Sequence, residues 1–296
     1  MIQLFSAALY NLNVKGFAQN AIYRGPTKGL CVPGLNCYSC PGAIAACPLG
    51  ALQSALNNLP ALPLYVLGTL AVFGALLGRA VCAFLCPIGL LQELLYKIPS
   101  PKIPKGRWSR RLSGMKYAVL AVFVIGIPLY TLAARGVVVP GFCKWICPAG
   151  TLEGGIGLAA FNEQMRAQLG GLFGWKVAVL AALAAAAVFV YRPFCRFICP
   201  LGAIYSLFNR IAIFGIRVDE GKCTHCGLCV RSCRMDVKRV NDRECIRCGE
   251  CMDRCPSGAL CSGCHKRKGI MKHEEIADMG AGSDLPERGG AGGAGH

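Results

Sequence analysis

The sequence has few charged residues, and few of those are acidic. Only 16% of its 296 residues are charged while 54% are apolar, and it has 15 acidic residues beside 32 basic ones. This composition is typical of a membrane protein. The net charge of +17 does not require nucleic acid as a partner, because basic cytoplasmic loops of a membrane protein account for much of it.

The sequence also lacks a recognisable set of histidines and carboxylates that could act as general acid and base, and it has only four histidines in all. Electron transfer between bound clusters needs no such set. This absence therefore favours an electron-transfer subunit over an enzyme that moves protons, although it leaves the question of catalysis open.

A cleavable signal peptide is not visible in the first twenty residues. Asn11, Asn13, Lys15 and Gln19 interrupt the apolar sequence, and no small-residue cleavage pattern follows. We expect residues 1–23 to form a weak membrane span or a helix at the interface, and we prefer the span.

Cysteine is abundant, with 20 residues. The phrase cysteine, proline, any residue, glycine occurs four times, at Cys47, Cys86, Cys147 and Cys199. In the last three copies a second cysteine lies four residues upstream, at Cys82, Cys143 and Cys195. Two sulfurs at this spacing share one face of a helical turn, so each pair can present two thiolates to one metal centre.

The first copy of the phrase is irregular. Ala43 occupies its upstream position, and the preceding loop instead carries Cys31, Cys37 and Cys40. Disulfides remain an alternative for this loop alone. For the three pairs the alternatives are apolar filler in helix ends and zinc; the recurring proline opposes the first and the lack of a nearby histidine opposes the second.

Two runs of cysteine near the C-terminal end carry the most specific signal. Each has the spacing Cys-x2-Cys-x2-Cys-x3-Cys, which is that of bacterial ferredoxins with two [4Fe-4S] clusters, where the fourth cysteine of each run ligates the other cluster. One cluster would be bound by Cys223, Cys226, Cys229 and Cys255. The other would be bound by Cys245, Cys248, Cys251 and Cys233. Gly227 and Gly249 would let the loops bend close to the clusters.

Residues 261–265 match the pattern for covalent attachment of haem c, Cys-x2-Cys-His. We favour chance or an accessory metal or redox site at Cys261 and Cys264, because the ferredoxin side is expected to be cytoplasmic. Residues 263–296 are rich in glycine and alanine and predict a disordered tail.

Three apolar stretches are long enough, or nearly so, to cross a bilayer of about 30 Å. They are residues 62–78, residues 117–134, where Pro128 predicts a kink, and residues 177–191. The basic residues between 97 and 116 predict that the loop joining the first two is cytoplasmic.

Counting crossings from this loop divides the membrane cysteines into two sets. The inner set at the cytoplasmic edge is Cys82, Cys86, Cys195 and Cys199, four ligands for one [4Fe-4S] cluster. The outer set contains Cys143 and Cys147 with two of Cys37, Cys40 and Cys47, or with Cys31. Opposite edges of a layer of about 30 Å are too far apart for efficient direct transfer. Either the sites lie deeper in the bundle, or a quinone or another subunit bridges them.

The Cys-x3-Cys-Pro pairs and the double ferredoxin motif together resemble the family of polytopic membrane 4Fe-4S proteins of the ferredoxin type. That family includes a quinol dehydrogenase subunit of nitrate reduction and an iron–sulfur flavoprotein supporting nitrous-oxide reduction. The resemblance covers residues 31–260 and is best at Cys82/Cys86 and Cys195/Cys199. It implies several membrane helices and redox partners. No flavin-binding domain is recognisable, so any flavin would belong to a partner.

We therefore expect a mainly α protein in the inner membrane. Residues 1–215 would form a polytopic bundle with three clear spans and the weak N-terminal one, and residues 216–262 an α+β ferredoxin domain in the cytoplasm. The protein would relay electrons between a cytoplasmic ferredoxin or oxidoreductase and membrane or outer-face subunits. The alternatives are a quinol dehydrogenase subunit, and an assembly or regulatory protein with structural or sensory clusters.

Overall fold

The chain is largely helical, and a computed structural model describes its residues 2–19, 21–56, 64–103, 106–167 and 169–264. The first helices in chain order are α1 Ile2–Tyr10, α2 Lys15–Gln19, α3 Pro48–Ala55, α4 Leu64–Leu77, α5 Ala80–Phe84, α6 Pro87–Tyr96, α7 Arg107–Leu112 and α8 Met115–Val119. They are followed by α9 Ile127–Arg135, α10 Gly141–Trp145, α11 Gly157–Phe161, α12 Glu163–Ala167, α13 Gly171–Phe189, α14 Pro200–Phe208, α15 Leu228–Arg231 and α16 Glu250–Asp253. Residues Leu120–Gly126, Gly150–Ile156 and Phe194–Ile198 are π-helical, and Pro26–Gly29 form a 3₁₀ turn.

The last part of the described chain adds a two-stranded antiparallel sheet. Strand β1, Phe214–Val218, pairs with β2, Leu260–Cys264, so that Phe214 lies opposite Cys264 and Val218 opposite Leu260. The short helices α15 and α16 lie between these strands in sequence. The predicted α+β unit thus begins two residues before residue 216. The tail predicted from residue 263 lies outside the described residues from 265 onward.

Two helices of the described chain are long and apolar enough to cross a membrane. One runs from Trp108 to Arg135 and the other is α13; both reach a mean hydropathy of 2.1. The third predicted span corresponds to α4, which has 14 residues and therefore a length of about 21 Å. Residues 57–63 before it are not among those described, so the structure supports two apolar spans and leaves the third as a prediction.

Pro128 lies at the end of a π-helical segment inside the first long helix. The wide turns of Leu120–Gly126 pass into α9 at Ile127, with Pro128 among its first two positions. A proline inside a regular helix would leave one carbonyl without its donor. The π-helical turns accommodate this defect, and the helix continues to Arg135.

The N-terminal segment is short for the predicted weak span. Helix α1 has nine residues and a length of about 14 Å, less than half of a bilayer core. The chain then turns at Asn11 and Asn13, which donate to Asn36 Oδ1 at 3.2 Å and to the Pro41 carbonyl at 2.9 Å. These bonds hold the N-terminal segment on the cysteine loop, and α1 alone is too short to cross a bilayer.

The segment after α9 also differs from the predicted path, because it turns back along its own helix. Gly136 ends α9 in the left-handed region with φ 67°. A Cβ on Gly141 would lie 2.9 Å from the Phe123 carbonyl oxygen and 3.1 Å from Ile127 Cγ2. Helix α10 therefore packs against the middle of the long helix, well before its end at Arg135.

Candidate metal centres

The repeated cysteine–proline phrase starts a helix in the way its proline predicts. Cys47, Cys86 and Cys199 are extended N-cap residues of α3, α6 and α14, and the proline that follows each begins the helix. Proline is well suited to this position, since its missing N–H would have had no intrahelical partner. The expected continuous turn from one cysteine of a pair to the next is instead broken at the second cysteine.

In two copies of the phrase, the glycine supplies a hydrogen bond to the sulfur. Its backbone N–H donates to the cysteine three residues earlier, at 3.3 Å for Gly150 to Cys147 and for Gly202 to Cys199. Cys47 and Cys86 occupy the corresponding N-cap positions of α3 and α6. Each of these sulfurs therefore lies at a helix N-terminus, where backbone N–H groups and the helix dipole favour a negatively charged ligand.

The same glycine brings the two cysteines of a pair together. A Cβ on Gly89 would lie 2.8 Å from the Cys82 carbonyl oxygen, and one on Gly202 would lie 3.2 Å from that of Cys195. Any residue with a Cβ would push the helix away from this carbonyl, so glycine allows the closest contact between the two cysteines. At Gly50, whose copy has no upstream cysteine, a Cβ would meet no atom within 4 Å.

The four inner cysteines come together at one buried site. Cys82, Cys86, Cys195 and Cys199 are each no more than 5% exposed. Every one of them interacts electrostatically with the other three. Gln92 Nε2 donates to Cys195 Sγ at 3.1 Å, and the Leu35 N–H donates to Cys86.

Two buried arginines link the two cysteine pairs of this site, because each lies just before one pair and bonds to the other. Arg79 lies three residues before Cys82 and donates to the carbonyl of Cys195 at 3.1 Å. Arg192 lies three residues before Cys195 and donates to the carbonyl of Cys82. Both side chains are fully buried. Sequence reasoning missed them, although the signal is present: both inner copies read Arg-x2-Cys-x3-Cys-Pro, and the Cys143 copy has Pro140 at that position.

In the outer group, four of the six candidate cysteines lie together. Cys37, Cys47, Cys143 and Cys147 interact electrostatically in all pairs. The Cys40 sulfur lies 3.6 Å from Asn11 Oδ1, and Cys31 interacts with Cys47. Cysteines 31, 37, 40 and 47 are all free thiols, so the disulfide alternative for this loop finds no support.

A buried carboxylate accompanies the outer group. Glu153 Oε2 accepts the backbone N–H of Cys37 at 2.7 Å. Burial raises the pKa of Glu153 to about 7, and the Cys37 N–H acts in the opposite direction. This carboxylate follows Cys147 by six residues and fixes the cysteine loop on the π-helical segment Gly150–Ile156.

The ferredoxin cysteines lie near one another, and their division between two clusters stays a prediction. Cys223, Cys226, Cys229 and Cys255 line one small cavity. Cys251 interacts electrostatically with Cys245, Cys248 and Cys233, and also with Cys229 of the first set. Gly227 and Gly249 have φ of 67° and 90°, values that favour glycine, and each precedes a short helix that carries a cysteine.

The ferredoxin region packs directly on the inner site. Glu244, the residue before Cys245, bonds Arg79 Nη1 at 2.7 Å and Lys116 Nζ at 2.5 Å. Burial alone would raise the pKa of Glu244, but the charges of Arg79 and Lys116 hold it below its usual value. Asn209 adds neutral bonds, donating to the Cys245 carbonyl at 2.8 Å and accepting from the Arg79 N–H at 3.0 Å.

The outer cysteine loop packs on the other side of the inner site. A Cβ on Gly34 would lie 3.1 Å from Cys86 Cα. Tyr205 is buried, donates to the Pro33 carbonyl at 2.9 Å and interacts electrostatically with Cys82, Cys86 and Cys47. Three residues span at most about 11 Å, so Cys37 is far closer to Cys86 than the thickness of a bilayer. This short distance favours the alternative in which the sites lie deeper in the bundle, and the division of the two sets between opposite membrane edges stays a prediction.

The donor sets consist of cysteine alone. Within the described ranges, no group of three His, Cys, Asp or Glu side chains is placed to hold a single metal ion. Four cysteine thiolates are the ligands that [4Fe-4S] clusters require, and the matched spacing of the ferredoxin cysteines is that of such clusters.

The haem c pattern lies in a different setting. Cys261 is exposed in strand β2, which extends to Cys264, while His265 lies outside the described residues. The interpretation of this pattern as chance or an accessory site stays a prediction.

Comparison with known proteins agrees with the cysteine groups. Residues 58–111, 117–162 and 172–218 match the model of a 4Fe-4S binding domain, and residues 216–239 and 238–261 match a second model with the same description. No solved structure matches the chain.

Several curated proteins are similar to parts of the chain. An uncharacterised protein of Methanocaldococcus jannaschii is 31% identical over 64% of this chain and 66% of its own length. The regulatory protein NosR of Pseudomonas aeruginosa is 31% identical over 58% of the chain. The methylamine utilization ferredoxin-type protein MauN of Methylobacillus flagellatus is 27% identical over 72% of the chain and 73% of its own length.

The chain spans less than two thirds of the first two of these relatives, and only 22% of NosR. The matched domains cover residues 58–111, 117–162 and 172–261, which carry most of the cysteine motifs. The domains matched there bind 4Fe-4S clusters. The chain is therefore an iron–sulfur protein of the 4Fe-4S ferredoxin type.

Proposed function

We propose that the protein is a membrane-bound electron relay in which the ferredoxin clusters exchange electrons with the inner membrane-edge cluster bound by Cys82, Cys86, Cys195 and Cys199. The observation that carries this proposal is the packing of Glu244 and Cys245 on the inner site through Arg79. Each bound cluster would take up and release one electron at a time. The protein's own contribution is to bind the clusters, keep the gaps short and exclude water.

The order of the ferredoxin clusters follows from their exposure. Cys226 is exposed and its group lines a cavity at the protein surface, which suits exchange with a soluble cytoplasmic ferredoxin or oxidoreductase. Cys245 is buried, and Cys248 interacts electrostatically with Arg192 beside the inner site. The group of Cys245 is thus the neighbour of the inner cluster.

A membrane location is supported by apolar surfaces that water would not tolerate. Almost none of α13 is buried inside the protein, and its 19 residues have a length of about 28 Å, close to a bilayer core of about 30 Å. Helix α1 is reversed in polarity: Gln3 and Ser6 are buried while Leu4 and Phe5 are more than 60% exposed. Lipid is the environment in which both surfaces are stable.

We further propose that α4, together with the residues before it, forms a third span, and that the ferredoxin face is cytoplasmic. Arg79, Lys116 and Arg192 all approach the ferredoxin side. With the basic residues between 97 and 116 they follow the positive-inside rule.

The relay can be tested with Cys199→Ser and a matched control, Cys261→Ser, in protein purified without oxygen. The first variant should lose about four iron atoms per chain and stop electron flow from a soluble donor beyond the ferredoxin clusters. The control should retain the full iron content and the electron flow beyond the ferredoxin clusters. Flow that persists without the inner cluster would overturn the relay. Clusters that cannot be reduced would favour a structural or sensory role, and reduction by an added quinol would identify a quinol dehydrogenase subunit.

A further inference from the structure

We propose that Cys37, Cys47, Cys143 and Cys147 bind an additional [4Fe-4S] cluster and that Cys31 and Cys40 are not ligands. This inference rests on the proposed relay and extends it by one site. The family matches begin at residue 58, so the loop that supplies Cys37 and Cys47 lies outside them.

The first geometric support is the contact between the N-terminal loop and the segment that follows Cys147. A Cβ on Gly154 would lie 2.9 Å from Cys37 Sγ. The Cys37 N–H donates to Glu153 Oε2 at 2.7 Å, one residue away along the same π-helical segment. Both contacts place the Cys37 sulfur against the turn that begins at Cys147.

The second support is the Phe123 carbonyl, which contacts both α3, the helix that follows Cys47, and α10, the helix that contains Cys143. The Phe123 carbonyl oxygen accepts Gln53 Nε2 of α3 at 3.0 Å, and the backbone of Gly141 in α10 packs against the same atom. Helix α3 begins directly after Cys47, and α10 contains Cys143. Because α3 and α10 contact the same carbonyl of the π-helical segment, Cys47 and Cys143 lie on the same side of the long helix.

The local charges suit a cluster whose four thiolates carry negative charge. Cys147 accepts the Gly150 N–H at 3.3 Å, and Cys47 is the N-cap residue of α3. Lys28 is buried, with Nζ 2.6 Å from the Ala43 carbonyl, and interacts electrostatically with Cys40 and with Cys37. Lys176 interacts in the same way with Cys143. A buried negative charge of this kind is stable only when hydrogen-bond donors or cations lie beside it.

The two remaining cysteines have polar partners that the proposed ligands lack. Cys40 is 3% exposed and its thiol donates to Asn11 Oδ1 at 3.6 Å, while it also interacts electrostatically with Cys37 and Glu153. Cys31 belongs to a backbone bridge with Ala46, and its N–H donates to Tyr65 at 3.2 Å. Cys40 is the best comparison for Cys37, because it lies in the same loop only three residues away.

The decisive experiment compares Cys37→Ser with Cys40→Ser in the full chain purified without oxygen, with iron and acid-labile sulfide counted per chain. We expect about sixteen iron atoms in the unmodified protein and in Cys40→Ser and Cys31→Ser, and about twelve in Cys37→Ser and Cys143→Ser. The EPR signals of the ferredoxin clusters, unchanged in every variant, show that the chain is folded.

Loss of iron from Cys40→Ser with full iron in Cys37→Ser would overturn the ligand assignment. About twelve iron atoms in the unmodified protein would overturn the site itself. If Cys143→Ser does not accumulate, the Cys37 and Cys40 comparison decides alone. These outcomes are independent of the relay, since iron counts can hold while electron flow from a soluble donor fails.

Discussion

Arg79 and Arg192 make reciprocal hydrogen bonds across the inner site. Arg79, which precedes Cys82, donates to the Cys195 carbonyl, and Arg192, which precedes Cys195, donates to the Cys82 carbonyl. Arg192 also forms an ion pair with Glu93 at 2.7 Å. Two fixed positive charges beside four thiolates favour the state with the more negative cluster, which is the reduced one.

Replacing Arg192 should therefore lower the reduction potential of the inner cluster. Arg192→Gln removes the charge and leaves Glu93 unpaired, whereas Arg192→Lys keeps the charge and weakens only the bonding. We expect a clearly lower potential in the first variant and a nearly unchanged one in the second, measured by redox titration with EPR. The exposed ferredoxin cluster is the internal reference. Equal potentials in Arg192→Gln and the unmodified protein would show that the arginine is only structural.

Removing the charge of Glu244 should destabilise the contact between the ferredoxin region and the inner site. Glu244→Gln leaves Arg79 and Lys116 buried without their anion, and breaking a buried ion pair from one side costs about 3–5 kcal/mol. The lowered pKa of Glu244 means that its stabilisation is complete above its ordinary value of 4.5 and is lost as the pH falls further.

The pH dependence supplies the check. Thermal unfolding in detergent should separate Glu244→Gln from the unmodified protein at pH 7, and the difference should shrink as the pH is lowered past 4.5. Glu250→Gln is a suitable control, because its ion pair with Arg234 at 3.3 Å is largely exposed. A difference that does not change with pH would mean that the ionised carboxylate is not the stabilising group.

The glycines of the repeated phrase should respond differently to the same substitution. In Gly89→Ala the new Cβ would lie 2.8 Å from the Cys82 carbonyl, so the two inner cysteines must move apart. Overpacking of this kind costs about 1–3 kcal/mol. We expect loss of iron from the inner site and a lower unfolding temperature.

Gly50→Ala is the matched control, since its Cβ meets nothing within 4 Å and alanine is the better helix former. It should be neutral or slightly stabilising. Equal iron loss in both variants would contradict the steric explanation and favour a general requirement for glycine at this helix N-terminus.

Local features of the sequence predicted much of this arrangement. Each proline at 48, 87 and 200 begins a helix as expected, because that position needs no N–H. The ferredoxin groups follow from short-range spacing, which fixes which sulfurs can share a cluster. Counting crossings placed Cys82, Cys86, Cys195 and Cys199 in one set, and these four interact electrostatically in all pairs. That they bind one cluster stays a prediction.

Long-range features were not predictable in the same way. Hydropathy carries no sign of the reversal at Gly136, which depends on a left-handed residue and on the contact of Gly141 with the Phe123 carbonyl. The proposed choice of Cys37 over Cys40 rests in part on the contact of Cys40 with Asn11, which is distant in sequence. Residues 2–10 are apolar enough to suggest a span, yet the polar residues Asn11 and Asn13 turn the chain onto the cysteine loop.

The contact of Gly34 with Cys86 also bears on how the protein is assembled. With Pro33 bonded to Tyr205 and Gly34 packed on Cys86, the N-terminal loop closes one side of the inner site, while Glu244 and Asn209 close the other. On the proposed assignment, a preassembled cubane has no open path to the four buried inner cysteines once both covers are in place. The inner cluster would therefore be inserted first, before the N-terminal loop and the ferredoxin region pack over its four cysteines.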